Sequence, residues 1–315
     1  MPANALYSII LKQEYAHDEP IYCCDWVKPN TSGDSVNASK DFIVTGGLDG
    51  LVKVWTLQNN KLEILHTLEG HAMGIISVVI SPTASTLVSA SLDSHIILWD
   101  LNTGKKVTEV PVGETDVWKV AFSPDGEEMA IGGHTGKFYV YGVQEGVIDK
   151  VLDTREKVIL SIDWSSNGKH IAVGSDGGNV CILDMLQNKV IHTVKAHTLA
   201  VRSVAFSPCN KRLATASNDG FVKIYAVVGA ALQCKLEHKS WVVSICFTPD
   251  GSRVATGSAD GSVRVALAQD LTLLYTFEEH RDTVWGVHFD TNNKKLMSVS
   301  KDGAIILYEC PPTKN

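Results

Sequence analysis

Asp49-Gly50-Leu51-Val52-Lys53-Val54-Trp55 returns along this chain as Asp93-Ser94-His95-Ile96-Ile97-Leu98-Trp99. It returns again as Asp219-Gly220-Phe221-Val222-Lys223-Ile224-Tyr225 and as Asp302-Gly303-Ala304-Ile305-Ile306-Leu307-Tyr308. The turn position of each copy falls at 49, 93, 135, 177, 219, 260 and 302, with gaps of 44, 42, 42, 42, 41 and 42 residues. A period of roughly 40–45 residues marks a propeller blade, a four-stranded unit that cannot bury its apolar faces alone.

The second copy shows how a blade is written. Gly70-His71 opens it, and strands are predicted over 75–80, 86–90, 96–99 and 107–112. The runs are short, rich in Val, Ile and Thr, and bounded by Gly, Pro, Ser and Asp. No long stretch has helical apolar spacing. Ser-Pro-Asp-Gly at 123–126 and Thr-Pro-Asp-Gly at 248–251 follow first strands. Proline presets φ for such a turn, and glycine accepts the positive φ it can require. The first copy is longer than the others by the Pro/Asn/Ser/Gly stretch Lys28 to Lys40. This stretch reads as a surface loop, with a partner-specific hook as the alternative.

The expected fold is all-β, one seven-bladed propeller over residues 1–315. Its blades run about 17–68, 71–112, 113–152, 155–194, 197–236, 238–277 and 280–310. The seventh copy lacks a strand, and a spare one lies at the start (5–12). Joining them closes the ring and removes two exposed sheet edges.

The 315 residues are 44% hydrophobic and 20% charged, as in a soluble globular protein. Length alone suggests about two domains, but stacked repeats share one continuous core. A net charge of −7 argues against the basic face of a nucleic-acid binder. Seven cysteines, an odd number with no Cys-x-x-Cys pair, read as small buried thiols in a reducing compartment. No run approaches the roughly 18 apolar residues of a membrane span. The apolar residues 5–11 have no basic residue before them and no cleavage site after them. A cytoplasmic or nuclear protein without membrane contact is expected. His95, His170, His192 and His288 are scattered without metal-ligand spacing, and no metal or cofactor is implied.

Five copies hold a histidine, a hydroxyl residue and an aspartate in phase. They are His17/Thr45/Asp49, His71/Ser89/Asp93, His197/Thr215/Asp219, His238/Thr256/Asp260 and His280/Ser298/Asp302. These are the residue types of a hydrolytic triad. A nucleophile is needed once, beside one oxyanion hole, and not five times around a ring. The structural alternative is a relay in which a Trp N–H donates to the hydroxyl, the hydroxyl to His, and His to Asp, each group satisfied. Trp55, Trp99, Tyr225 and Tyr308 stand at the ring position, whereas the sixth copy has Ala266. In the third copy the triplet becomes Gly113, Ile131 and Thr135, and in the fourth Arg155, Val173 and Gly177. All three members vanish together, as expected where a half-satisfied polar network is worse than none.

These phrases resemble the WD-repeat family of β-propellers over nearly the whole chain, although only Trp99-Asp100 preserves both letters of its dipeptide. The resemblance implies a non-enzymatic platform, with the polar relays as architecture. It also implies that short peptides bind where the loops before each first strand and between the second and third strands share one face. Five residues after each histidine position come Tyr22, Ile76, Trp118, Leu160, Arg202, Val243 and Trp285. Trp241, Asp116 and Asp176 lie beside them. The candidate partner-binding rim is Tyr22, Trp118, Leu160, Arg202, Trp241, Trp285, Asp116 and Asp176. Aromatic rings beside carboxylates suit a stacked lysine or arginine, while the alternative is that the rings only plug the channel.

Ile10-Leu11-Lys12-Gln13-Glu14-Tyr15-Ala16-His17-Asp18, Leu68-Glu69-Gly70-His71, Leu152-Asp153-Thr154-Arg155 and Val284-Trp285-Gly286-Val287 are similar to a narrower branch. Its members serve the superkiller mRNA-decay complex and the RNA-polymerase-II-associated factor complex. That likeness implies a monomeric propeller within a hetero-complex. Its partners would be a helical-repeat scaffold subunit, a helicase and polymerase-associated factor subunits, without direct nucleic-acid contact. A reader of histone or other modified peptides through the same rim is the second reading. A propeller-borne hydrolase, the third, lacks any unique acid, base or metal cluster.

Overall fold

A computed structural model describes residues 7–28, 41–110 and 117–311. Its strands form seven four-stranded antiparallel sheets. Blade 1 is β2 (Ile21–Val27), β3 (Asp41–Gly47), β4 (Val52–Gln58) and β5 (Lys61–Leu68). Blade 2 is β6 (Ile75–Ile80), β7 (Thr86–Ser91), β8 (Ile96–Asp100) and β9 (Lys106–Val110). Blades 3 to 6 repeat the pattern, with first strands β10 (Val117–Phe122), β14 (Ile159–Trp164), β18 (Val201–Phe206) and β22 (Val242–Phe247). Blade 7 has β26 (Val284–Phe289), β27 (Lys295–Ser300) and β28 (Ile305–Glu309). Most of the 28–40 stretch, residues 111–116 and the start of the predicted 5–12 strand lie outside the described residues.

The missing fourth strand of blade 7 is β1 (Ser8–Gln13), paired antiparallel with β28 through Ser8↔Glu309 and Gln13↔Ile305. A buried arginine reinforces the closure. Arg253 donates to the carbonyls of Pro311 at 2.7 Å and Asn293 at 2.5 Å, beneath the Phe289 ring. Tyr7, just before β1, stacks on Tyr275 at 5.0 Å.

Each second strand is buried on almost every residue, as in β7 and β27, whereas outer strands such as β5 are largely exposed. The second strands lie between neighbouring blades, so both faces are covered and the sequence runs apolar or small without alternation. The apolar clusters lie between blades. One joins Val44, Val54 and Phe42 of blade 1 to Ile75, Leu87 and Trp99 of blade 2. Another joins Ile43 and Trp55 of blade 1 to Met297, Val299 and Leu307 of blade 7, across the seam. No blade owns a core, so the cooperative unit is the ring. The tight turns rely on glycine where the chain crowds a neighbour. At Gly178 φ is +83°, and a Cβ would sit 2.3 Å from the His197 carbonyl oxygen.

Two outcomes are expected. Gly178→Ala should cost more than about 1 kcal/mol in chemical denaturation, from the positive φ and the carbonyl clash. A chain lacking residues 1–12 should melt well below the full chain or self-associate through the bared β28 edge. A monomer with an unchanged melting temperature would contradict this closure.

Candidate functional site

The first strands line a central channel of about 900 Å³. In all seven blades the pairing of first and second strands slips by one residue near its start. The residue at each slip is Tyr22, Ile76, Trp118, Leu160, Arg202, Val243 or Trp285, and all seven line one mouth of the channel. A β-bulge leaves one residue unpaired and re-aims its side chain. Seven in-phase bulges therefore deliver seven side chains to a single opening.

Neighbouring turns lock this mouth. The residue before the turn aspartate donates its N–H to the residue before the first strand. Leu48 bonds Pro20 at 2.8 Å, Leu92 bonds Gly74 at 3.0 Å and Asn218 bonds Ala200 at 3.0 Å. Ala259 bonds Trp241 at 2.9 Å, and Lys301 bonds Thr283 at 2.9 Å. Tyr22 meets Trp285 edge to face at 5.2 Å, and the Trp118 N–H points at the His134 imidazole. Arg202 gives its Nε–H to Asn218 at 3.2 Å and lines the channel. Burial lowers its pKa.

Three residues of the expected rim are not among the described channel-lining residues. Asp176 is exposed on its turn, accepts the Val158 N–H at 3.3 Å, and is not among the channel-lining residues. A short polar side chain at a turn bonds local backbone before it reaches inward. Asp116 lies outside the described residues. Trp241 is 51% exposed on the same face, outside the lining. Among the described residues, the ionic group of the expected rim that lines the channel is Arg202, which suits an acceptor or carboxylate.

The polar relays hold this face. In blade 1, Trp55 donates to Thr45 Oγ1 at 2.9 Å, Thr45 meets His17 Nε2 at 2.8 Å, and His17 Nδ1 lies 2.9 Å from Asp49. Blade 2 repeats it through Trp99, Ser89, His71 and Asp93 at 2.8, 2.8 and 3.1 Å. Blade 7 runs Tyr308, Ser298, His280 and Asp302 at 3.1, 2.7 and 3.0 Å. Burial would raise Asp302, but the bond from His280 and the Arg281 N–H outweigh it and hold the carboxyl at about 2. Burial lowers His71 and His197 against the pull of their aspartates. The hydroxyl between ring and imidazole is buried in each relay.

Two copies depart from this plan. In blade 5 His197 joins Thr215 at 2.8 Å and Asp219 at 2.9 Å, but Tyr225 bypasses the threonine and donates to the Ala196 carbonyl at 3.2 Å. In blade 6 His238 is 3.3 Å from Thr256, and its Nδ1 has no partner among the described residues. Asp260 instead accepts from Ser262 Oγ at 2.6 Å and from the Ser262 N–H at 3.0 Å. The equivalent positions in the other relays, Leu51, His95, Phe221 and Ala304, offer no hydroxyl. Burial and the nearby Arg264 charge push His238 down to about 3, with Asp260 opposing.

Sequence reading missed a second set of channel groups. His288 Nε2 lies 3.1 Å from Asp25, and its Nδ1 donates to the Phe289 carbonyl at 2.8 Å, a charged bridge between blades 7 and 1. Burial would disfavour both charges, yet the pair raises His288 and lowers Asp25. Lys119 and Asp163 line the same channel. Comparing fifth residues of the first strands would have singled out Asp25, Asp163 and His288. Cys209 is exposed on a turn, in contrast to the buried Cys23, Cys181 and Cys310.

Asp93→Ala should cost roughly 1–3 kcal/mol by leaving the His71 N–H unpaired, measured by urea denaturation. His238, held neutral, contributes stability above an unfolded imidazole value of about 6.5 that is lost as pH falls toward 3. His238→Gln should therefore lose less stability than the native chain between neutral and mildly acidic pH. Parallel losses would remove His238 as a source of acid sensitivity.

A family model described as "IFT122 first beta-propeller" matches residues 37–309, and one described as "WD domain, G-beta repeat" matches residues 9–56. The chain is 41% identical over 139 residues to WD repeat-containing protein SL1-17 of Schistosoma mansoni, covering 44% of each chain. It is 29% identical over 120 residues to WD repeat-containing protein VIP3 of Arabidopsis thaliana, covering 38% of this chain and 35% of that one. The matched stretches span less than half the length of these relatives. Together with the seven sheets and their repeated turns, the family match shows that this chain belongs to the WD-repeat β-propeller family.

Proposed function

We propose that this chain is a non-enzymatic adaptor that holds a segment of a protein partner in the mouth formed by the seven bulged residues. The observation that carries the reading is the convergence of Tyr22, Trp118, Leu160, Arg202 and Trp285 on one opening. Aromatic and arginine side chains dominate the energy of protein interfaces. An apolar or aromatic anchor would enter between Trp118, Leu160 and Trp285, and Arg202 would bond a carbonyl or carboxylate of the same segment. The buried relays leave no exposed nucleophile–base pair to argue for hydrolysis.

The partners proposed are subunits of the superkiller mRNA-decay complex and of the RNA-polymerase-II-associated factor complex, placing the protein in cytoplasm and nucleus. This rests on the phrases at 10–18, 68–71, 152–155 and 284–287. A second reading, recognition of a cationic peptide such as a histone tail, is favoured by the open Trp241 ring, on which an ammonium or guanidinium could stack.

Trp118→Ala and Trp285→Ala should each abolish partner capture in affinity purification with mass spectrometry while keeping the native melting temperature within a few degrees. The captured set from the native chain should be dominated by subunits of these two complexes. Undiminished capture by both variants would remove the mouth as the docking site. Capture of histones alone would favour the second reading.

A further inference from the structure

Asp25 and Asp163 occupy the same place in two blades. Each is the fifth residue of its first strand, β2 and β14. Each also ties its blade to the next. Asp25 Oδ2 accepts the Ile80 N–H at 2.7 Å, and Asp163 Oδ2 accepts the Phe206 N–H at 2.6 Å. The preceding blade makes the difference. Before Asp25, blade 7 places His288 at the fifth position, 3.1 Å from the carboxylate. Before Asp163, blade 3 places Ala121 there. The strand position that holds a cationic imidazole before Asp25 holds only a methyl group before Asp163.

Asp163 is therefore left without the hydrogen-bonded counter-charge that its twin possesses. Lys119, two residues before Ala121, acts on it through its charge but makes no hydrogen bond to it. Burial pushes the Asp163 carboxyl up to about 6 against the Phe206 and Trp164 N–H groups and Lys119, whereas His288 holds Asp25 below its ordinary value against burial. Among the described residues, the remaining charges in the channel lining are Asp25, His288 and, at the far mouth, Arg202.

The position is reachable. Asp163 lies one residue from the end of β14, toward the mouth opposite Leu160. That opposite end of the channel lining is formed by Pro82, Pro124, Ser166, Pro208 and Pro249. It is a different opening from the docking mouth, built from different residues, so the two readings stand or fall separately.

We propose that this lower mouth is a second binding site, taking a compact organic cation, a protonated amine or guanidinium, that sits beside Ala121 and pairs with Asp163. The cation could be a lysine or arginine side chain of a partner, or a free polyamine. In either case it supplies from outside the charge that His288 supplies from within at the blade 7–blade 1 seam.

The test is titration calorimetry of the full chain at neutral pH and matched ionic strength. N-acetylarginine amide stands in for a partner side chain and spermidine for a free polyamine. The native chain should bind at least one probe. Asp163→Asn keeps an oxygen for the Phe206 N–H and should weaken that binding about tenfold or more, a loss of about 1.4 kcal/mol. Ala121→His, which copies the seam pair and fills the gap, should weaken it similarly. The two variants guard against a folding defect in either. Binding of the arginine probe alone assigns the site to a partner side chain, and binding of spermidine alone to a polyamine. Failure of both probes to bind, or equal affinity in the native and variant chains, would overturn the site.

Discussion

Everything in this molecule depends on the pairing of β1 with β28. The apolar clusters sit between blades, so each blade is stable only with a neighbour on either side. An open array would leave one flank of blade 1 and one of blade 7 in water, together with two unpaired sheet edges. The chain avoids this by lending its first strand to its last blade. Arg253 binds the C-terminal segment at Pro311, and the charged His288–Asp25 bridge spans the same seam from inside the channel. Because one imidazole and one carboxylate hold each other ionised, the bridge favours folding from above the ordinary aspartate range to beyond the ordinary imidazole range. Its contribution fades as acid neutralises Asp25 or as base neutralises His288.

Closure turns repetition into a site. Each first strand carries the same bulge, and rotation about the channel brings seven equivalent positions together. The rest of each blade can repeat while these positions vary. They include two tryptophans, a tyrosine and an arginine as well as aliphatic residues, an irregular surface on a regular frame. The relays serve that frame. By tying the loop before the first strand to the turn between the second and third, they fix the backbone from which the bulged side chains project. Where a relay is absent, other bonds serve, as when the Glu156 carboxylate of blade 4 accepts the Asn179 amide at 2.9 Å.

The fold was legible because a period near 42 residues has few structural solutions, and the strand surplus at one end matched the deficit at the other. The relay was legible wherever Trp accompanied Ser or Thr, His and Asp, as in blades 1 and 2. It misled at Tyr225, whose O–H donates to the Ala196 carbonyl, and at Asp260, which Ser262 diverts. Residue type in phase could not reveal those competitions, because each is decided by which neighbour lies within hydrogen-bond distance. The channel pair Asp25–His288 was hidden because its members lie 263 positions apart and look like stray charges in apolar strands. Asp176 lies on its turn with its carboxylate bonded to local backbone, and it does not line the aromatic mouth.

The adaptor account makes a geometric claim, that a partner lies over the bulged residues of the channel mouth. The most direct measurement places a photoactivatable cross-linking residue in cells at Ile76, among those residues, and in a parallel chain at Val151 on an outer strand. The account predicts that illumination at Ile76 joins the protein to a subunit of one of the proposed assemblies, with little capture from Val151. Capture confined to the outer strand would contradict it.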